Sequence, residues 1–145
     1  MIKINRKVEY ALMSLGHILS KKKGELTSAR EICDQFKIPF DTIAKVLQIM
    51  SSAEILSSAQ GVRGGYQLVK DLKQVSFLEL CELIEGKAAL VDCEMQEREC
   101  AFACNCNIMS PMKNLGKKLE SFLKSVTVDE LLTSQAAPVF LENIV

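Results

Sequence analysis

Of the chain's six cysteines, Cys93, Cys100, Cys104 and Cys106 crowd into one short stretch, whereas Cys33 and Cys81 stand alone. The cluster reads Cys93-x6-Cys100-x3-Cys104-x-Cys106. It lacks the two C-x2–4-C knuckle pairs of a structural zinc site. Thiolates are soft ligands that also suit iron–sulfur clusters, which need several cysteines on a permissive loop. The C-x-C pair makes it awkward for both of its sulfurs to serve one cluster. One of the two is therefore set aside, leaving three thiolates and a fourth ligand to come from elsewhere. An iron–sulfur site leads this reading, with zinc or a thiol switch as the alternatives. The flanking acids Asp92, Glu94, Glu97 and Glu99 disfavour free thiolate anions in the absence of a metal.

Nothing near the N-terminus reads as a secretory signal. Lys3, Arg6 and Lys7 are followed by an apolar stretch that contains Glu9 and His17, then by Lys21 to Lys23 with no small-residue cleavage site. No apolar run approaches bilayer length. The expected setting is cytoplasmic, where thiols stay reduced and a disulfide framework is disfavoured. Cys33 and Cys81 fall on apolar helical faces and read as core residues.

The elements that must hold this cluster are mainly helical. Ile4, Val8, Leu12, Leu15 and Leu19 mark a first helix over about residues 4–19. Ser28 and Glu31 form a capping box that opens a second helix, with Ala29, Ile32, Cys33 and Phe36 turned inward. Ile38-Pro39 breaks it and starts a third, in which Pro39 suits the first turn and Ile43, Val46, Leu47 and Met50 are buried. Ile55-Leu56 and Tyr66 to Val69 read as hairpin strands around a glycine-rich tip, Ser57 to Gly65. Three helices followed by such a hairpin give a winged helix-turn-helix over residues 1–75. A second Ser-x-x-Glu box, Ser76 and Glu79, starts a helix that stops at Gly86 and turns Phe77, Leu80, Cys81 and Ile84 inward. The cysteine stretch follows. A long helix then begins near Ser110-Pro111 with the stripe Met112, Leu115, Leu119, Phe122 and Val126, and Thr127 and Glu130 cap a last short turn. Residues 76–132 form a sensor and dimerisation region and 133–145 a tail, all within one compact domain.

The charge follows the same division. Residues 1–75 hold 12 Lys/Arg against 7 Asp/Glu, and residues 76–145 hold 6 against 11, although the whole chain is neutral. A neutral total argues against nucleic-acid binding, but a +5 half and a −5 half argue for two tasks in one chain. Thr42, Lys45 and Gln48 on the outer side of the third helix could contact base edges or phosphate. Ser28 begins the second helix, whose free backbone N–H groups suit a phosphate. Arg63 at the wing tip suits a narrow A·T-rich minor groove. Lys21–Lys23 reads as a solvated loop.

The wing stretch SAQGVRGGYQL, the opening IKINRKVEYALMSL, the phrase VSFLELCELIEG, three cysteines and the closing SVTVDELL occur together in this order. In that combination the chain resembles the bacterial winged-helix regulators that include IscR and NsrR, over roughly residues 1–132. The resemblance implies a homodimer built on the long C-terminal helix, a double-stranded DNA operator, and an iron–sulfur cluster on three cysteines. Cys93, Cys100 and Cys106 fit the family spacing, and Cys104 becomes the extra thiol. Met109 stands where IscR-type members place a histidine. NsrR-like members take a carboxylate from the partner's first helix, and Glu9 matches that position. Glu9 is thus the implied fourth ligand, with Cys104 its competitor, and the sparse donor set leans to a 2Fe–2S cluster over 4Fe–4S. Ala44 replaces an acidic residue of IscR in the recognition helix, and Gln60 replaces a wing arginine. The resulting expectation is a non-enzymatic, DNA-binding regulator, acting as a repressor, that senses iron, nitric oxide or redox state. A zinc-stabilised or cluster-free regulator is the alternative.

Overall fold

A computed structural model describes residues 4–87 and 105–134. Six α-helices, one hairpin and one short 3₁₀ turn are present among them. Helix α1 spans Arg6–Leu19, capped by Asn5, whose side chain accepts from the Lys7 backbone N–H at 3.0 Å. It therefore starts two residues later than the sequence pattern suggests. The buried side of α1 is Val8, Ala11, Ser14, Leu15 and Ile18, whereas Ile4 and Leu19 are exposed. Ile4 precedes the helix and so takes no place on its buried face, while Leu12 and Leu19, at 3.6 residues per turn, fall toward the edge of the face centred on Ala11, Leu15 and Ile18.

Helix α2, Ala29–Phe36, and helix α3, Phe40–Ser52, are joined by Lys37 to Pro39. Lys37 takes the left-handed conformation, φ 56°, that closes α2. Pro39 is the residue before α3 rather than a member of its first turn, and its carbonyl accepts from Thr42 and Ile43. Strands β1, Leu56–Ala59, and β2, Gly65–Leu68, pair antiparallel, with Leu56 opposite Leu68 and Ala59 opposite Gly65. The hairpin thus absorbs Ser57 to Ala59, which had read as part of the tip. Serine and alanine have little strand preference of their own, so composition alone hides this segment.

After a 3₁₀ turn, Leu72–Gln74, helix α4 runs Phe77–Glu85 and is closed by Gly86 at φ 84°. Helix α5, Met109–Ser125, and helix α6, Val128–Thr133, complete the described chain. The C-terminal part is pinned at one strand-like crossing. Phe77 N–H donates to Val126 O at 2.8 Å and Val128 N–H to Val75 O at 2.9 Å. Helix α4 packs against α1, α3 and α5, and α6 reaches α1. One core results, built from Val8, Leu15, Ile32, Ile43, Leu47, Met50, Leu56, Val75, Leu80 and Val128 among others.

The capping boxes are only half as expected. Ser28, Ser76 and Thr127 each accept from the backbone N–H three residues on, at 3.1 Å. The glutamates of the first two boxes turn elsewhere. Glu79 meets Lys70 at 3.1 Å, and Glu31 meets both Lys21 at 2.6 Å and His17 at 2.8 Å. A lysine or imidazole brought close by the fold is a stronger partner for a carboxylate than a backbone amide.

Candidate nucleic-acid interface and metal-ligand set

The third helix divides cleanly. Ile43, Val46, Leu47 and Met50 are buried, which forces the opposite side of α3 into solvent. Lys45 and Gln48 are exposed there, and Thr42 is half-buried at its edge. Of the three residues expected on the outer side of this helix, two are therefore exposed and one is half-buried. Ser28 is half-buried, and its hydroxyl is held as the cap of α2, so any anion at that helix end would meet backbone N–H groups rather than a free hydroxyl.

The wing is fixed to this helical unit by an interaction with no local sequence signal. Thr27, just before α2, bridges Tyr66 in β2 through a reciprocal pair of backbone bonds at 2.9 and 2.8 Å. Gly65 makes that approach possible, because a Cβ there would lie 2.7 Å from the Thr27 carbonyl oxygen. Gly64 is under a tighter constraint, since its Cβ would lie 2.2 Å from Ala59 O. Only glycine fits either position without moving backbone. Gln60 and Arg63 are both exposed on the tip so formed.

The expected metal ligands are divided. Cys93, Cys100 and Cys104 lie outside the described residues. Cys106 is half-buried three residues before α5, and Glu9 is exposed in the first turn of α1. Met109 opens α5 itself. Among the described residues no three His, Cys, Asp or Glu side chains converge on a metal-sized site. The two remaining thiols are committed to packing. Cys33 is buried and burial pushes its thiol up. Cys81 is half-buried rather than fully enclosed, and desolvation, followed by Glu85 and Glu82, pushes it up to about 11. A neutral, packed thiol is a poor metal ligand. The soft donors available to a cluster are therefore those of the 93–106 stretch, and this donor chemistry suits iron–sulfur ligation.

A separate polar cluster escaped the sequence reading. The Glu31 carboxylate accepts from Lys21 and bonds His17, and the His17 ring stands edge-on to Phe36 with centroids 5.8 Å apart. The Lys21 ammonium, then His17, holds the Glu31 carboxyl below its ordinary range. Lys21 is correspondingly raised, chiefly by Glu31. Lys21 is thus a tie between the end of α1 and the start of α2, which corrects its reading as a solvated loop residue. Lys22 and Lys23 do remain exposed.

Residues 4–134 match the family model Rrf2, described as an iron-dependent transcriptional regulator. An HTH-type transcriptional regulator of Aquifex aeolicus is 27% identical over 135 residues, covering 92% of this chain and 93% of that protein. The HTH-type transcriptional repressor NsrR of Streptomyces coelicolor is 24% identical, covering 97% and 95%. Among solved structures, CymR of B. subtilis, the global cysteine regulator, superposes with a TM-score of 0.70 at 19% identity, over 94% of this chain and 100% of that one. IscR of T. potens gives 0.62 at 17%, over 90% and 86%. The structural likeness extends the winged fold to the whole described chain, and the matched proteins are regulators rather than enzymes. The chain belongs to the Rrf2 family of transcriptional regulators.

Proposed function

We propose that the protein is a homodimeric repressor whose operator affinity is controlled by an iron–sulfur cluster. The observation that carries this reading is a division of chemistry along the chain. Helix α3 and the wing present Lys45, Gln48, Gln60 and Arg63 outward, while the four cysteines other than Cys33 and Cys81 lie together in one acidic span of the sequence. Lys45 and Arg63 supply phosphate or groove contacts, and Thr42 and Gln48 supply hydrogen bonds to base edges. Residues 1–75 thus read DNA, 76–132 sense and dimerise, and the protein works in the cytoplasm.

Cys93, Cys100 and Cys106 would hold the cluster, with Glu9 of a partner subunit as fourth ligand and Cys104 as its rival; a 2Fe–2S form is favoured over 4Fe–4S. Bound there, the cluster would supply a centre reactive towards oxidants and nitric oxide. Cys106 stands just ahead of α5, so ligation that includes it ties the start of α5 to the segment leaving α4. Helix α5 supports the dimer reading. Its stripe residues Leu115 and Phe122 are 47% and 62% exposed, an unusual state for a helix face with that apolar spacing. Phe122 also lines an open apolar groove of about 1030 Å³, together with Ile4, Leu12, Leu123 and Leu132 among others.

Anaerobic purification followed by visible absorption, iron, sulfide and zinc analysis tests the sensor. An iron- and sulfide-loaded coloured protein is the expected result. Stoichiometric zinc in a colourless protein would replace the cluster with a structural metal, and a colourless protein without metal would leave a cluster-free regulator. Glu9→Ala and Cys104→Ala then separate the two fourth-ligand candidates. Loss of cluster stability in the cysteine variant alone would remove Glu9.

A further inference from the structure

Phe40 is the first residue of α3, yet its side chain is 50% exposed beside the outward face of the recognition helix. An exposed phenyl ring has a hydration cost that the turn does not require, because Ile38, Ile43 and Leu47 already close the core here. Phe40, Ala44 and Gln48 follow one another at i, i+4 and i+8, so they form a single row along α3. Ala44 is half-buried and Gln48 exposed. The row runs from an aromatic ring through a methyl group to an amide.

We infer that the row Phe40–Ala44–Gln48 reads an A·T-rich half-site, with Phe40 and Ala44 packed on thymine methyl groups and Gln48 bonded to an adenine. This rests on the DNA-reading role of α3. The major groove presents one apolar feature, the C5-methyl of thymine, and it is met by Ala and Phe side chains. A glutamine amide matches the N6 donor and N7 acceptor of adenine. The N-terminal part of a recognition helix is the part that meets base edges, which is where Phe40 stands. Asp41 and Lys45 occupy the adjoining row, so a charged line and an apolar line run side by side into the groove.

The test uses the full-length protein, purified anaerobically, in a binding selection from random-sequence DNA duplexes at fixed salt. Selected half-sites should contain adjacent A·T pairs. Deoxyuridine then replaces each selected thymine in turn, which removes the methyl and leaves the pairing intact. At one or two positions, wild-type affinity should fall about 4-fold per methyl. The Phe40→Ala variant should bind the thymine and uracil forms equally at the position Phe40 touches, and Phe40→Leu should retain part of the discrimination. G·C-rich half-sites, or uracil substitutions that leave wild-type affinity unchanged, overturn the inference while leaving DNA recognition in place. So does an equal uracil penalty in wild type and Phe40→Ala. A selection that enriches no sequence overturns the DNA-reading role and this inference with it. The uracil series alters only the DNA, so it tests the methyl contact even where Phe40→Ala folds poorly, and an unreduced uracil penalty in Phe40→Leu then overturns the assignment to Phe40.

Discussion

The winged part and α5 use apolar residues in opposite ways. From Arg6 to Glu85 the helices turn their stripes onto one another, so Leu15, Ile43, Leu47 and Leu80 are fully buried. The polar residues left outside, Lys45, Gln48, Gln60 and Arg63, are then free for a ligand. Helix α5 carries a stripe of similar spacing, but among its described residues only Gly116 is buried. The same periodicity therefore closes a core in one region and leaves a face open in the other. Periodicity tells which residues share a face; whether that face is covered depends on how many neighbours the fold supplies. The winged body surrounds its helices on several sides, whereas α5 contacts it chiefly through α4.

Paired truncations sharpen this contrast most. Leu80→Ala, in the core, should lose about 2–5 kcal/mol of stability in urea denaturation. Leu115→Ala should cost under about 1 kcal/mol in a protein diluted to monomer, because its side chain is already half in water. Equal losses would mean that α5 is part of the monomer's core after all. A second comparison places charge on the open face. Phe122→Glu should lower the mass measured by light scattering from dimer to monomer while the helical circular dichroism signal stays close to wild type. A variant that remains dimeric would place the subunit contact elsewhere.

The wing offers an intermediate effect. Gly64→Ala drives a Cβ to within 2.2 Å of Ala59 O, so the tip must rearrange. Affinity for DNA should fall at least about 5-fold with less than about 2 kcal/mol lost from global stability, since the strained element lies outside the core. A wing variant with native affinity would remove the tip from the contact surface.

The smallest effect concerns the α1–α2 tie. Because Lys21 and His17 hold the Glu31 carboxyl below its ordinary value of 4.5, the ion pair adds stability at pH values above 4.5. That contribution is lost as pH falls through the lowered value, where the folded carboxylate finally takes a proton. The site is partly open to water, so the Glu31→Gln difference should be only a fraction of a kcal/mol near neutrality and should vanish in acid. A difference that persists unchanged below pH 4 would assign the effect to packing rather than charge.

Most of the architecture was legible because its signals are local. The Ser28 and Ser76 caps, the break at Pro39 and the stop at Gly86 are each set by a few neighbouring residues. Errors arose where the partner is remote. Ser57 to Ala59 form a strand because β2 lies beside them, not because their side chains favour one. Glu31 leaves its capping box because α1 brings Lys21 and His17 within reach. The exposure of Phe40 likewise depends on how α3 packs against its neighbours, and no local signal marks it. The cysteine ligand set is the opposite case. Its spacing and composition are legible in the sequence, but only Cys106 and Glu9 fall among the described residues.

By itself, the sequence determined the helix order, the glycine-built wing, the thiol inventory and the separation of a basic half from an acidic one. These follow from short-range sterics, capping and composition, which do not depend on how the chain is folded back. Only the tertiary structure decided three further points: the Thr27–Tyr66 bridge that joins wing to helices, the Lys21–Glu31–His17 tie, and which apolar stripes remain uncovered. Each depends on residues distant in sequence meeting in space. No single segment encodes such a meeting, because the geometry belongs to the packing of several elements together.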